Sequence, residues 1–599
     1  MSQRRAPSRR RHRRRQPRWL KPVLIAATGA IVLIVVVAVI AVLHGIRLER
    51  RLQALPSTLQ AVTTNAEEGH FGAAQAELAK AQSTLTNVNS SLYNSIDFQL
   101  LNLLPIGRQN VRAVRSGVKL GLQMVGGGEE ILAAASPLEQ NGQLAIPLTR
   151  GQIPLQTVIS VQKAVEEVAS ILPNAPSSPG DGLVLGPVKT AVGKVFKEAA
   201  KRQLELRSVG ASLRVIEDIA GASGDRRYLL AVGNSAEMRG SGGMILSYGV
   251  LTSHAGKVTL VHIGPIDEIK LPSPETAVSF PTDFMRTYSG LAPTADWRDA
   301  NMMSDFTVDG PVLEAMYEHE SGQHLDGVIQ VDSAGLAAIL AGIGPVTTAD
   351  LGAVTEGNAV SVTLSTAYQL FPVRATREDY TGEVAQAAFE RLTSGEFTSL
   401  KPLGVALIDA SKQRHVLMYS DDPTDETAIR MLGFDGALPP ASSDFTQLTI
   451  QNFGANKLDY YLTSSLLLGG ERPSETGSLM TATINLANTA PRGRAVPQEV
   501  FGPFSPEQNV GEYDGLVTLY LPAGSFLKGS GVDPSVTTSP IMGSQNGLQT
   551  VSYTVTIPAG GSSRVVLRLF IPPTPSPRGQ FDFVTSPRVN PTTFISKLS

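Results

Sequence analysis

The chain has 599 residues, several times the usual length of about 100 to 150 for a single domain, so more than one domain is expected. Hydrophobic residues make up 42% of the chain and charged residues 17%, a composition that excludes a disordered protein. There is no cysteine, which excludes disulfides, thiolate zinc sites, thiol nucleophiles and iron–sulfur ligation.

The N-terminus is strongly basic. Ten Lys or Arg residues lie between Met1 and Lys21, and the first acid is Glu49. The rest of the chain has 41 basic and 53 acidic residues, a net charge of −12, so no nucleic-acid partner is expected. The run Arg9–Arg15 alone also suits a nucleic-acid arm, but its position before an apolar stretch favours a signal for membrane topology.

That apolar stretch runs from Val23 to Leu43, 21 residues without a charge. At about 1.5 Å of helix per residue it reaches roughly 31 Å, the thickness of a bilayer's hydrocarbon core. It predicts a transmembrane signal-anchor helix, with residues 1–22 as a cytoplasmic tail and the bulk of the chain outside the cell membrane. The alternative is a cleaved signal peptide, whose apolar run is usually shorter, about 7 to 15 residues.

Residues 44–224 are predicted to form a helical stalk or spacer. Apolar residues recur at helical spacing after Phe71, and the stretch Leu104–Asn110 ends one helix and begins another. Residues 173–186 are rich in Pro, Ser and Gly and indicate a loop, and Lys189–Ile219 is predicted to be a further helix. A helical repeat that binds a partner is the alternative to a spacer.

Residues 225–440 are predicted to form an α/β domain with a mixed sheet. Arg227–Val232 is a short apolar run typical of a buried strand, and Met244–Thr252 and Lys257–Ile263 are predicted to form a hairpin around His254-Ala255-Gly256. Further strands and helices then alternate up to Gly342. Residues 441–599 contain strand runs separated by Gly and Pro without a long helix, which predicts an all-β sandwich.

Two stretches of the α/β domain concentrate unusual polar residues: Gly233–Gly243, after the first strand, and Asp296–Asp305. A polar, Gly-rich segment at the carboxyl end of a strand is where α/β sheets place ligands. Arg239 and Arg298 can clamp a phosphate or carboxylate bidentately, and Gly240, Gly242 and Gly243 allow close approach of the backbone. Asp299 and Asp305 can hold a hard divalent cation such as Mg²⁺.

Each of these features also has a structural explanation. The glycines can be turn residues, Glu237 and Arg239 can form a salt bridge with each other, and Asp296 can cap a helix. The pattern leaves both interpretations open.

The segment YLLAVGNSAEMRGSGGMILSYGVLT (Tyr228–Thr252) resembles the signature N-x-A-E-x-R-x-x-G-G of the bacterial domain-of-unknown-function 4012 family. DWRDANMMSDF (Asp296–Phe306), LDGVIQVD (Leu325–Asp332), NKLDYYL (Asn456–Leu462) and LYLPAGSFL (Leu519–Leu527) follow in the order of that family. The resemblance covers residues 50 to 570 approximately and implies no activity. It places Asn234, Glu237 and Asn301 with the arginines and glycines in a candidate ligand site.

A weaker resemblance links Gly310–Val346 to the LytR-CpsA-Psr family of cell-wall glycopolymer ligases. That family binds a polyprenyl pyrophosphate through arginines and a metal held by aspartates, which implies that Arg239 and Arg298 contact phosphate and that Asp299 and Asp305 lie near a metal. The family's Arg-x-Asp-Thr corresponds here to Gly242-Gly-Met-Ile, and its Pro-Arg-Asp to the stretch from Gly264 to Glu268, so two expected ligands are missing.

Two functions follow as hypotheses. The first is a membrane-anchored, extracytoplasmic module of the cell envelope that binds a ligand or partner without catalysis. The second is a metal-dependent phosphotransferase that acts on polyprenyl-pyrophosphate-linked glycopolymers. The expected partners are the lipid bilayer, through the anchor helix, and a polyprenyl phosphate or cell-wall polymer. Mg²⁺ is the cofactor of the second hypothesis.

Overall fold

The computed structural model describes residues 55–67, 70–140, 143–144, 151–172, 184–269, 282, 285, 288, 293, 296–350, 352–395, 400–472, 474–494, 496–573 and 581–599. These residues divide into two compact units. The helical unit contains the described residues of 1–66, 71–133 and 167–205, and the sheet unit contains those of 67–70, 134–166 and 206–599.

Helices account for the helical unit. They are α1 (Leu55–Glu67), α2 (Phe71–Asn94), α3 (Ile96–Leu101), α4 (Pro105–Ala135), and parts of α5 (Leu155–Ile171) and α6 (Gly186–Ile219). The buried residues of α2 follow one another at intervals of three or four, so a single apolar stripe faces the core. Pro105 begins α4, as the break in the sequence at Leu104–Asn110 predicts.

Small residues on α4 allow its neighbours to approach closely. Leu78 and Leu85 of α2 lie beside Gly128 and Gly121, which makes α2 and α4 antiparallel. Val192 of α6 lies beside Gly117, so α6 runs parallel to α4.

The sheet unit is built from three five-stranded sheets and two small two-stranded ones. Its strands are β1 (Glu139–Gln140), β2 (Gln143–Leu144), β3 (Arg226–Met238), β4 (Gly243–His254), β5 (Lys257–Pro265), β6 (Gly327–Asp332), β7 (Val346–Thr348), β8 (Gly352–Val354), β9 (Val416–Ser420), β10 (Phe445–Asn452), β11 (Leu462–Gly470), β12 (Ser478–Asn488), β13 (Tyr513–Leu521), β14 (Phe526–Val532), β15 (Ile541–Gln545), β16 (Leu548–Ile557), β17 (Ser562–Ile571), β18 (Asp582–Val584) and β19 (Thr593–Leu598). Its helices are α7 (Phe306–Ser321), α8 (Ser333–Ile343), α9 (Ala359–Ser361), α10 (Ala367–Leu370), α11 (Arg374–Ser394), α12 (Leu400–Lys412), α13 (Pro423–Leu432) and α14 (Gln498–Phe501).

The first sheet has the strand order β5-β4-β3-β6-β9. Strands β3 and β6 are parallel, and the other neighbours are antiparallel. The predicted hairpin is confirmed: Ala255 and Gly256, both with positive φ, connect β4 to β5 in the left-handed conformations that suit a two-residue hairpin turn. The carboxyl end of β6 lies beside Gly233, where Asp332 pairs with it, and β3 continues beyond this point to Met238.

The other two five-stranded sheets form a sandwich. Their orders are β15-β16-β13-β10-β18 and β14-β17-β12-β11-β19. Side chains of β12 alternate between buried and more exposed positions, because one face of that sheet packs on the sandwich core. The strand runs that the sequence predicts within residues 441–599 are confirmed, and they lie among strands β10 to β19.

Strand β10 is buried along its whole length, although its sequence alternates polar and apolar residues. Leu448 and Ile450 belong to the sandwich core. On the opposite face, the Thr449 hydroxyl lies 2.8 Å from the Ser304 hydroxyl, and Gln451 donates to the Tyr288 hydroxyl at 3.0 Å. The polar face of β10 therefore packs against residues of the α/β half instead of facing solvent.

The predicted fold class, with its transmembrane helix, is wrong: the described residues form a mixed helical and sheet structure of more than one domain with several sheets. No helix among the described ranges is both long and apolar enough to cross a membrane. The very apolar α8 has only 11 residues, whereas a membrane span needs roughly 20. The long helix α4 contains charged residues such as Arg108, Arg112 and Glu129, so it is not apolar enough to span. The predicted span from Val23 to Leu43 lies outside the described residues, so the predicted location outside the cell membrane stays a prediction.

Candidate functional site

The predicted ligand segment continues the first strand. Gly233–Met238 lie in β3, whereas the sequence pattern placed them in a loop after the strand. The register with β4 shifts between Asn234 and Met238, so this part of β3 bulges away from its neighbour. The freed side chains and backbone groups contact other parts of the sheet unit.

The glycines after β3 permit tight packing of the chain on itself. A Cβ at Gly240 would lie 2.1 Å from the carbonyl oxygen of Met302, and one at Gly243 would lie 2.2 Å from the carbonyl carbon of Asn234. At Gly242 it would meet the Gln330 side chain at 2.4 Å. The space that these glycines leave is occupied by protein atoms.

Arg239 is 5% exposed and makes its hydrogen bonds within the chain. Its Nε donates to Asp299 Oδ1 at 2.6 Å, and its Nη1 donates to the carbonyl oxygens of Met238 and Asn452 at 3.1 and 3.0 Å. Since Asn452 ends β10, the guanidinium links the end of β3 to the sandwich. Asp299, a predicted metal ligand, is the carboxylate that balances this charge.

Glu237 pairs with Lys457 and not with Arg239. The two charged atoms are 2.7 Å apart, and both side chains are 7% exposed. Burial by itself acts to lower the pKa of Lys457, but the charges of Glu237 and Tyr368 outweigh it and the net shift is upward. The ammonium also lies 5.0 Å from the centre of the Tyr368 ring, whose hydroxyl accepts a hydrogen bond from Asn234 at 3.0 Å.

Asp459 is a buried charge that the sequence analysis did not select. Its carboxylate accepts hydrogen bonds from the Met238 amide at 3.1 Å and from Asn452 Nδ2 at 3.0 Å. Arg588 Nη1 donates to its other oxygen at 3.0 Å, and both members of this ion pair are 1% exposed. Asp459 lies in the NKLDYYL segment, outside the residues that the family model matches, and no local pattern marks Arg588.

These groups form one connected cluster, called the joint below. It joins the end of β3 to β10 and to the residues that follow β10. Its members are Glu237, Arg239, Asp299, Asn452, Lys457, Asp459 and Arg588.

A second buried pair lies beside the joint, at the carboxyl end of β6. Asp332 Oδ2 accepts a hydrogen bond from Ser235 at 2.7 Å and lies 2.8 Å from His415 Nδ1, while Oδ1 caps the N-terminus of α8. Burial acts to lower the pKa of His415, but the Asp332 carboxylate raises it by a larger amount. This aspartate therefore holds a histidine, a serine and a helix in place.

Asn301 and Asp305 also have structural roles. Asn301 is fully buried and donates to the Gly243 carbonyl at 2.9 Å. Asp305 caps α7 through Thr307, and its other oxygen accepts from Asn546 at 3.2 Å. Within the described part of the chain, no group of three or more His, Asp or Glu residues could hold a metal ion.

Arg298 differs from Arg239 because its side chain is 40% exposed. Its Nε donates to Asp296 at 2.9 Å, and its Nη1 lies 3.8 Å from Asp267. Hydrogen bonding to Asp296 raises the pKa of Arg298, so its charge is fixed. The two predicted phosphate-binding arginines thus have different partners and different exposure.

The fold and this cluster together define a class of protein: a mixed α/β sheet joined to a β-sandwich through a buried polar joint. The model of the family described as protein of unknown function DUF4012 matches residues 223–368, which include β3 to β6 and the signature. This match confirms the resemblance to that family over residues 223–368, and the resemblance predicted for the rest of residues 50 to 570 stays a prediction. Neither a curated protein nor a solved structure matches the chain. The weaker resemblance to LytR-CpsA-Psr ligases stays a prediction.

Proposed function

We propose that the sheet unit is a rigid, non-catalytic module of the cell envelope that binds a partner. The observation that carries this proposal is the burial of the signature: Glu237 and Arg239 each contact groups of the same chain and face no solvent. A ligand site needs charges that can reach the ligand, whereas these charges connect two sheets. The function of the motif is then to set the geometry of the module.

The phosphotransferase hypothesis requires Arg239 to contact phosphate. To do so, the guanidinium would have to leave the partly buried Asp299 carboxylate and the buried Asn452 carbonyl, at a cost of about 1–3 kcal/mol. The geometry therefore favours binding over catalysis.

An exposed apolar edge of the sandwich is the surface that we assign to the partner. The chain passes from edge strand β14 to edge strand β15 on one side of the sandwich, where Val532, Ile541 and Met542 are exposed. Edge β14 carries a bulge near Lys528, which disfavours pairing with another strand, so side chains would make the contact. Apolar exposed groups of this kind suit a protein partner.

The catalytic part is tested with the purified full chain, Mg²⁺ and a polyprenyl pyrophosphate. We expect no release of phosphate above the rate without protein. Metal-dependent hydrolysis that Arg298→Ala abolishes would contradict the proposal.

The binding part is tested by cross-linking in intact cells, because a chain without cysteine allows a single reactive position to be introduced. A cross-linker at Val532→Cys should give one discrete adduct, and one at the equally exposed Leu479→Cys, on β12, should not. The same adduct pattern from both positions would rule out this edge as the binding surface.

A further inference from the structure

The turn between α2 and α4 is apolar and exposed. Residues 93–106, called the tip below, include the short helix α3. Six large apolar side chains of the tip are at least 39% exposed: Tyr93, Ile96, Leu100, Leu103, Leu104 and Ile106. A soluble helical hairpin normally uses polar residues at such a turn, so this concentration indicates a surface that is covered in function.

Two aliphatic side chains of the tip are much more exposed than the others. Leu103 is 78% exposed and Ile96 is 71% exposed, while Phe98 between them is buried. The tip therefore keeps one aromatic anchor in the helical unit and directs its aliphatic side chains outward.

Basic residues surround the tip. Arg108 and Arg112 lie in the first two turns of α4 and are exposed, and within the described ranges neither forms an ion pair with a carboxylate. Lys189, also exposed, lies in the first turn of α6, and the Leu185 amide just before it donates to Asn110 of α4 at 2.9 Å. The start of α6 is thus beside the start of α4, and its lysine joins the two arginines.

Arg115 does not belong to this basic group. Its Nη2 donates to the Leu92 carbonyl at 2.6 Å, and its guanidinium stacks over the Tyr93 ring at 4.0 Å. It fastens α4 to the end of α2 and holds the tip in its place.

We propose that the tip docks on the surface of an anionic phospholipid bilayer. Exposed aliphatic side chains next to Arg and Lys are the composition of an interfacial membrane element, in which the apolar groups enter the headgroup region and the cations contact lipid phosphates. The cationic surround favours this occupant over a neutral apolar protein surface. The tip does not cross the bilayer, because the short helix α3 has only six residues.

A single fluorophore tests the proposal locally in the full chain. An environment-sensitive label at Leu103→Cys is compared with the same label at Gln75→Cys, an exposed position of α2 about 28 Å of helix from Asn94. With vesicles that contain phosphatidylglycerol, the label at position 103 should shift to the blue and brighten, whereas that at position 75 should not change. Vesicles of phosphatidylcholine alone or high salt should weaken the response.

The double variant Arg108→Ser, Arg112→Ser tests whether these two cations contribute to binding of the anionic bilayer. Each charge near an anionic surface contributes about fivefold in affinity, so the insertion constant read from position 103 should fall about 25-fold. The proposal is overturned if position 103 does not respond to anionic vesicles, or if positions 75 and 103 respond equally. It is also overturned if the shift grows with protein concentration in the absence of lipid, since the tip would then bind a second copy of the chain.

Discussion

The two ends of the sheet β5-β4-β3-β6-β9 are both rich in charged residues, but they differ in how these charges are paired. At the end where β3 and β6 finish, charges of opposite sign meet: Glu237 with Lys457, and Arg239 with Asp299. At the end where these strands begin, carboxylates outnumber cations. Arg226 forms ion pairs with two of these carboxylates: its Nε lies 2.8 Å from Asp218 Oδ1, and its Nη1 lies 2.8 Å from Asp326 Oδ1.

The carboxylates at the starting end also affect one another. Burial, with the charges of Asp421 and Glu318, raises the pKa of Glu314 to about 7. Burial and the nearby Asp218 raise the pKa of Asp425 to about 7. The comparison shows that a charged motif at a strand end is not itself evidence of a ligand site. The end where opposite charges pair is a structural joint, and the end with excess carboxylates is where the stability of the fold is expected to depend on pH.

The largest effect is expected from the buried pair in the joint. Lys457→Met leaves Glu237 as an uncompensated buried charge, so the free energy of unfolding should fall by about 3–5 kcal/mol in urea titration. The double variant Glu237→Gln, Lys457→Met is the control and should lose less than the single variant. If Lys457→Met changes stability by less than about 1 kcal/mol, the pair does not support the joint.

The next largest effect is the difference in stability loss between substitutions of Arg239 and of Arg298. Arg239→Ala removes bonds to Asp299 and to the Asn452 carbonyl and should cost about 3 kcal/mol. Arg298→Ala removes a half-exposed ion pair and should cost less than about 1 kcal/mol. Equal losses in thermal or urea unfolding would contradict the distinction between the two residues.

A smaller loss of stability is expected from a substitution at Gly240. Gly240→Ala forces a Cβ against the carbonyl oxygens of Met302 and Met303, at 2.1 and 2.4 Å, and should cost about 2 kcal/mol. The matched control is Gly404→Ala in the exposed part of α12, where no atom lies within 4 Å; it should stabilise the chain by about 1 kcal/mol. A neutral Gly240→Ala would indicate that the segment after β3 can move.

The smallest change in the free energy of unfolding is expected for Glu314, at the end of the sheet where β3 and β6 begin. Because folding raises the pKa of Glu314, the stabilisation that it gives is complete below about pH 4.5 and is lost as the pH rises through about 7. Glu314→Gln should therefore raise the free energy of unfolding by about 1 kcal/mol at pH 8, after allowance for solvent screening, and by nearly nothing near pH 4.5. An equal gain at both pH values would show that titration of Glu314 is not the cause.

Local signals predicted the elements of the fold well. The turn residues Ala255 and Gly256 and the flanking alternation gave the β4–β5 hairpin, and the apolar run after Arg226 gave β3. The pattern of β10 predicts a strand but not what its polar face contacts, because alternation of polar and apolar residues is the same whether the polar face meets water or another polar protein surface. That choice depends on the tertiary partners Ser304 and Tyr288, which lie more than 140 residues away.

The sequence predicted which residues of the candidate site lie close together, but it did not predict what these residues do. The family resemblance grouped Asn234, Glu237, Arg239 and Asn301 in one candidate site, and the structure brings all of them to the region where β3 ends. Their roles depend on Lys457 and Asp459, distant in sequence, and on Arg588, which no local pattern identifies. Without those partners, a buried joint and an open ligand site have the same sequence signature.

Hydrogen exchange at the end of β3 tests the central claim most directly. The Met238 amide donates to Asp459 at 3.1 Å and the Arg239 amide donates to the Gly242 carbonyl at 2.7 Å, both inside the joint. If the signature is a joint, these two amides should exchange only when the sheet unit unfolds, with protection that matches its free energy of unfolding. Exchange as fast as that of an exposed loop would mean that the segment opens to solvent as a ligand site does, and it would contradict this account.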